Sequence, residues 1–162
     1  TRHSTLFPYT TLFRSPALIA EIAEAFGTQC VVVGIDSVRD ADGEWRVRSH
    51  TGDPNAMRAP GKRTLDWVAE AQSLGAGEIV LNCMDSDGVR RGYDTAQLRA
   101  VRAICAVPLV ASGGAGEPAH FESVFRDADV DAALAASVFH SGAIRIPDLK
   151  RGLREAGIEV RL

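Results

Sequence analysis

Val107-Pro108-Leu109-Val110-Ala111-Ser112-Gly113-Gly114-Ala115-Gly116 is an apolar run of strand length that breaks into small residues and glycines. It reads as a buried strand ending in a phosphate-binding turn. Glycines let the backbone approach an anion closely, and a helix opening at Glu117 or Pro118 would aim its unpaired N–H groups at the same place. Further on, Asp131-Ala132-Ala133-Leu134-Ala135-Ala136-Ser137-Val138-Phe139-His140 is a second short apolar strand that ends on small residues. In eight-stranded α/β barrels a phosphate is often held by the last two strand ends and a short extra helix, which Ser137 to His140 would supply. The competing reading is a turn whose glycines serve only tight packing, since an isolated glycine motif is weak. The second loop favours phosphate.

Outward from that pair, helix and strand alternate. Ser15 as N-cap, Pro16 at the first helical position, an apolar stripe of Leu18, Ile19, Ile22 and Phe26, and Gly27 as terminator predict a first helix. Residues 30–35 form a continuous apolar strand that delivers Asp36 at its C-terminal end. Residues 40–61 are an excursion, with Asp42-Gly43 as a hairpin turn before Glu44-Trp45-Arg46-Val47-Arg48 and a loop rich in Gly, Pro and Asn after it. The pattern then gives a helix over 64–74, a strand over 78–84, a helix over 94–104 capped by Asp94, the opening strand, a helix over 118–125, a strand over 132–136 and a closing helix over 147–156. Strands each followed by a helix dictate an α/β fold with a parallel sheet and right-handed crossovers. Four such strands cannot close a barrel, which takes about 250 residues. The pattern itself leaves half a barrel or a small open sheet.

The chain has 162 residues, 46% hydrophobic and 24% charged, which is ordinary one-domain globular material. No apolar run approaches the roughly 20 residues of a spanning helix, so no membrane is expected. A net charge of −3 with both signs interspersed argues against nucleic acid as a partner, so any anion must be captured locally. Cys30, Cys83 and Cys105 are widely spaced in apolar surroundings, which reads as reduced core thiols in a cytoplasmic protein rather than a disulfide framework or metal site. Residues 1–14 share no period with the rest of the chain, and Leu6 to Ser15 resembles translated sequencing-adaptor DNA. We read residues 1–14 as a non-native appendage and 15–162 as the domain; a signal peptide fits poorly because Pro8, Tyr9 and three threonines break the apolar residues.

Ligands of α/β folds sit at the C-terminal strand ends, which makes Asp36, Asp85, Asp87, Ser112 and Ser137 the candidates. Alternation puts Val32, Gly34 and Asp36 on one side of the first strand and the all-branched Val31, Val33 and Ile35 on the other, facing the helices. Asp36 then points inward, either as a general acid or base or as a turn cap. Asp85-Ser86-Asp87-Gly88 lacks the further ligands of a calcium loop, so its carboxylates either orient a polar substrate or cap the turn, while Gly88 offers an N–H to phosphate. Glu78 opens a strand at the opposite end, where a buried charge would need a cationic partner. No nucleophile elbow and no metal spacing accompany His3, His50, His120 and His140. His140, just past the expected phosphate helix, is the histidine most worth testing.

Val31-Val32-Val33-Gly34-Ile35-Asp36, Gly75-Ala76-Gly77-Glu78-Ile79-Val80-Leu81-Asn82, Asp87-Gly88, Gly92-Tyr93-Asp94, Ala111 to Gly116 and Ala133 to His140 together resemble one family, the cyclase subunit of imidazole glycerol phosphate synthase. The resemblance runs from Ser15 to Leu162 and implies the C-terminal half of a (β/α)8 TIM barrel, βα units five to eight. It implies histidine biosynthesis: a phosphoribulosyl aminoimidazole-carboxamide nucleotide and ammonia from a glutaminase subunit yield imidazole glycerol phosphate and aminoimidazole-carboxamide ribotide, with no metal or other cofactor. Residue by residue, it implies Asp36 as a catalytic aspartate, Gly88, Gly113, Gly114, Ala136 and Ser137 as a phosphate site, and Ser112 along the pocket; Asp85 and Asp87 join the pocket candidates from their place at the strand end alone. Glu78 would sit where ammonia enters. The family's first catalytic aspartate and other phosphate site have no counterpart here, so the chain alone is expected to be incomplete for catalysis. Asn82-Cys83-Met84-Asp85-Ser86 also departs from the usual family wording. The related isomerase barrel of the pathway and a non-catalytic phosphate-binding half-barrel are the alternatives. Outer strands 30–35 and 132–136 of a four-stranded sheet, with Val32, Gly34, Leu109 and Leu134 facing solvent, imply self-association of the isolated chain.

Overall fold

A computed structural model describes residues 15–53 and 55–161, so the reading of residues 1–14 falls outside the described part. Helix α1 (Ala17–Phe26) opens after Pro16, whose φ of −56° and ψ of −31° are already helical. Pro16 thereby takes the cap position expected of Ser15, and no side chain caps the helix. Of the expected apolar stripe only Ile19 is fully buried, while Phe26 is 68% exposed. The reason lies just beyond. Gly27, at φ +89°, turns the chain into a 3-10 segment (Thr28–Cys30) that leaves Phe26 and Cys30 at an exposed rim. Cys30 is therefore neither the start of a strand nor a core thiol, whereas Cys83 and Cys105 are buried and all three are free.

The remaining elements are β1 (Val32–Arg39), β2 (Trp45–Arg48), α2 (Thr64–Ser73), β3 (Glu78–Cys83), α3 (Thr95–Arg102), β4 (Leu109–Ser112), α4 (Pro118–Ala128), β5 (Ala132–Leu134), α5 (Ser137–His140) and α6 (Ile146–Glu155). The sheet runs β2-β1-β3-β4-β5, with β1, β3, β4 and β5 parallel. Strand β2 is a fifth member that corrects the four-stranded expectation. The Asp42-Gly43 turn, with Gly43 at φ +84°, folds β2 back antiparallel on β1 from Asp36↔Arg48 to Arg39↔Trp45. On that side only residues 32–35 of β1 are left unpaired, together with the outer edge of β5.

One face of the sheet carries the core. Val33 and Ile35 of β1, Ile79 and Leu81 of β3, and Leu109 and Ala111 of β4 pack with Val68, Ala71, Leu98, Val101, Phe121 and Val124 of the helices. Each large side chain so buried is worth about 1.5–3 kcal/mol. Three buried polar groups sit in this layer and satisfy one another: Ser37 and Thr64 share a hydrogen bond of 2.7 Å between hydroxyls, and Gln97 Nε2 donates to Ser37 Oγ. Asp94 Oδ1 accepts from Gln97 N at 2.9 Å, so the expected cap of α3 is in place.

The other face has no covering layer among the described residues. Cross-strand register sets it out in rows: Val32 beside Glu78, then Gly34, Val80, Val110 and Ala132, then Asp36, Asn82, Ser112 and Leu134. Leu109 does not belong to it, contrary to expectation, because register with Ile79 places Leu109 on the helix side at 0% exposure and gives the open face to Val110. Val32 and Leu134 are 49% and 47% exposed. Parallel sheets are normally covered on both faces by their crossovers. This one is half of a (β/α)8 barrel whose inward face stands open.

An open apolar face and two unpaired edges favour association. The 162-residue chain is expected to sediment as a dimer or larger species at tens of micromolar. A compact monomer with slowly exchanging edge amides would count against this.

Candidate functional site

The row nearest the C-terminal strand ends holds the chemistry. Asp36 is half-buried, and each carboxylate oxygen accepts one hydrogen bond: Oδ1 from Asn82 Nδ2 at 2.8 Å, Oδ2 from Thr51 Oγ1 at 2.5 Å. Each oxygen keeps a second lone pair. The carboxylate is thus aimed and held while it can still take or give a proton on its open side. Asn82 reaches it because β1 and β3 are in register at these two residues; Thr51 arrives from the loop after β2. The bond to Asp36 fixes which way the Asn82 amide points, and leaves Asn82 Oδ1 buried without a partner among the described residues, on the side of Gly113. Sequence spacing marks neither Asn82 nor Thr51 as a partner of Asp36. Asn82 is visible only as strand parity, and Thr51 carries no signal.

Two loops meet beside this row. The turn after β3 runs over residues 84–89, and Asp85 Oδ2 accepts from Arg39 N at 2.7 Å, stapling this turn to the end of β1. Asp85 therefore has one oxygen committed to the backbone, whereas Asp87 accepts no hydrogen bond from the described residues. The second loop is Gly113 to Gly116, and the fit between the two is close. A Cβ on Gly113 would lie 2.8 Å from Cys83 O and 3.3 Å from Asp87 Cβ; one on Gly114 would lie 2.0 Å from Gly92 O. Both glycines are buried, at φ +91° and +110°, and Gly92 N donates to Gly114 O at 2.9 Å. Among the described residues, no protein acceptor takes the amides of Gly113, Gly114 or Ala136. Gly113 and Gly114 are buried, where an amide without a partner costs about 1–3 kcal/mol, whereas Ala136 is exposed.

The end of β5 is tied in by Tyr93, whose hydroxyl donates to Leu134 O at 3.0 Å and whose ring meets Phe121 edge-on at 5.7 Å. Burial pushes the Tyr93 phenol up, so it stays a donor. Phe121 in turn packs on Phe139 of α5, at 5.7 Å. This aromatic run links the loop after β3 to the exposed Ala136 and Ser137. Gly88 is exposed at φ +74°, Ser112 is half-buried, and His140 is exposed at the end of α5. Burial, helped by the Asp94 and Asp85 carboxylates, pushes the Cys83 thiol up and makes it inert. Glu78 is half-buried on the same face as Asp36 but four residues back along the strand register, about 13 Å away at strand rise. It makes no ion pair among the described residues.

Among the described residues no group of three or more His, Cys, Asp or Glu is placed to hold a metal ion, and no helix is long and apolar enough to cross a membrane. A family model described as "Histidine biosynthesis protein" matches residues 4–145. The imidazole glycerol phosphate synthase subunit HisF of Xanthomonas euvesicatoria pv. vesicatoria (strain 85-10) is 74% identical over 146 residues, covering 90% of this chain and 57% of that protein. The subunit of the same name from Xanthomonas oryzae pv. oryzae (strain MAFF 311018) is 73% identical over 146 residues, and that of Xylella fastidiosa (strain M12) 72% over 148, with 57% and 58% of those proteins covered. The chain thus spans little more than half the length of these curated relatives.

Proposed function

The chain belongs to the histidine biosynthesis protein family, and from that premise we propose that it supplies one acid/base carboxylate and one phosphate cradle to an imidazole glycerol phosphate synthase cyclase. In this reading Asp36 moves a proton while ammonia closes the imidazole ring of a phosphoribulosyl aminoimidazole-carboxamide nucleotide. The products are imidazole glycerol phosphate and aminoimidazole-carboxamide ribotide. The observation that supports it best is the adjacency of a held, half-open carboxylate and buried glycine amides with no protein acceptor. Backbone amides in such a concavity suit a phosphate.

The cradle consists of the amides of Gly88, Gly113, Gly114, Ala136 and Ser137 with the Ser137 hydroxyl; Ser112 and Asp87 line the pocket between it and Asp36, and Asp85 shapes the pocket wall. Glu78, at the far end of the inward face, stands where ammonia from a glutaminase subunit would enter. The partner half of the barrel provides the second carboxylate and the second phosphate site. The setting is the cytoplasm, and residues 15–162 carry the domain.

The test is reconstitution. Mixed with the N-terminal half of one of the relatives, the chain should turn over the nucleotide with ammonium ion, and alone it should not. A correctly assembled pair with no turnover would overturn the proposal. Inorganic phosphate should shift the amide resonances of Gly113, Gly114, Ala136 and Ser137 together, and shifts scattered over the surface would count against the cradle.

A further inference from the structure

His120 lies in α4, away from the phosphate-cradle residues, yet both loops converge on its ring. Its Nδ1 accepts from Gly116 N at 3.0 Å and from Glu117 N at 3.3 Å, while the Glu117 side chain accepts in return from the His120 backbone. This is the reciprocal arrangement that closes a helix N-terminus, with an imidazole in the place usually taken by Glu or Gln. Its Nε2 sits 3.5 Å from Glu117 Oε1. An Nδ1 that accepts requires the neutral ring with its proton on Nε2.

The flat of the ring also lies against Gly92, where an added Cβ would be 3.6 Å from His120 Cδ2. Gly92 is the residue whose amide holds Gly114 O. A Cβ on Gly116 would come within 2.2 Å of Arg90 O, so the two loops are in backbone contact along their length. One side chain therefore pins the exit of the Gly113 to Gly116 turn by hydrogen bonds and packs against the loop that holds its middle. By taking up the amides of Gly116 and Glu117, it leaves those of Gly113, Gly114 and Ala115 as the loop amides open to a ligand.

We propose that His120 is a positioning residue for the binding of a phosphate monoester, acting as the acceptor that sets the Gly113–Gly114 amides. This rests on the phosphate reading above. It does not touch the phosphate, and what matters is its acceptor rather than its charge.

The chain labelled with 15N, titrated with inorganic phosphate, gives both the phosphate affinity and the exchange rates of the Gly116 and Glu117 amides. His120→Gln restores the acceptor from the same helix position and should keep both within about threefold of wild type. His120→Phe keeps a ring against Gly92 without the acceptor. It should weaken phosphate about tenfold and speed exchange of the two amides by a similar factor, the scale of a lost hydrogen bond. The 15N shifts of the wild-type imidazole provide a measurement that needs no variant to fold: Nδ1 should appear as the unprotonated nitrogen. A protonated Nδ1, a Phe variant indistinguishable from wild type, or a Gln variant as impaired as Phe overturns the role of His120. Failure of wild type to bind phosphate overturns the cradle itself.

Discussion

Asp36→Asn, in the chain paired with the N-terminal half of one of its relatives, is expected on the proposed reading to lower turnover of the nucleotide by about 10²–10⁴-fold, the usual contribution of a general acid–base group. The substitution isolates chemistry from structure because the surroundings accept an amide. Asn82 Nδ2 would still find an oxygen where Oδ1 now stands, and the Thr51 hydroxyl can rotate to accept from the new NH2. Only the carboxylate proposed to transfer the proton is lost. Substrate KM should move little, since phosphate binding is assigned to other residues. Near wild-type turnover would shift the role to Asp87, because Asp85 already holds the Arg39 amide.

The parity that aims Asp36 was legible in the sequence because the stretch from Val31 to Ile35 has a physical alternative on each side: branched residues toward the helices, Gly34 and Asp36 away from them. The same reasoning failed for Leu109. In a run as uniformly apolar as Val107 to Ala111 no contrast marks the faces, and the register with Ile79 decides. The hairpin was announced by Asp42-Gly43, yet its place at the sheet edge depends on a non-local pairing that turn chemistry does not encode. Cys30 was misplaced because apolar neighbours looked like a strand start, while Gly27 and a 3-10 turn take the chain outward there. The candidate site divides the same way. Its small residues and strand-end carboxylates can be read from spacing, whereas Thr51, Asn82 and His120 enter through contacts between segments far apart in sequence or through a cap that uses an unusual residue.

Gly114→Ala should be the most damaging single methyl in the molecule's loops, costing about 3 kcal/mol or more of stability and abolishing phosphate binding. Two costs combine. At φ +110° an L side chain strains the backbone by about 1–3 kcal/mol. The new Cβ would also stand 2.0 Å from Gly92 O, 2.7 Å from Gly92 C and 3.1 Å from Ser86 Cβ. Those first two are backbone atoms and cannot swing aside, so the loops must part, which costs a further 1–3 kcal/mol or so. Parting them breaks the Gly92 N to Gly114 O bond and turns the cradle amides away from each other. Gly88→Ala is the matched control: at φ +74° it bears the conformational strain, but nothing lies within 4 Å of its Cβ. It should lose only about 1 kcal/mol. Urea midpoints, compared at one protein concentration because association shifts apparent stability, read the difference. Equal midpoints for the two variants would show that the Gly92–Gly114 contact yields freely, and the cradle would then need another source of rigidity.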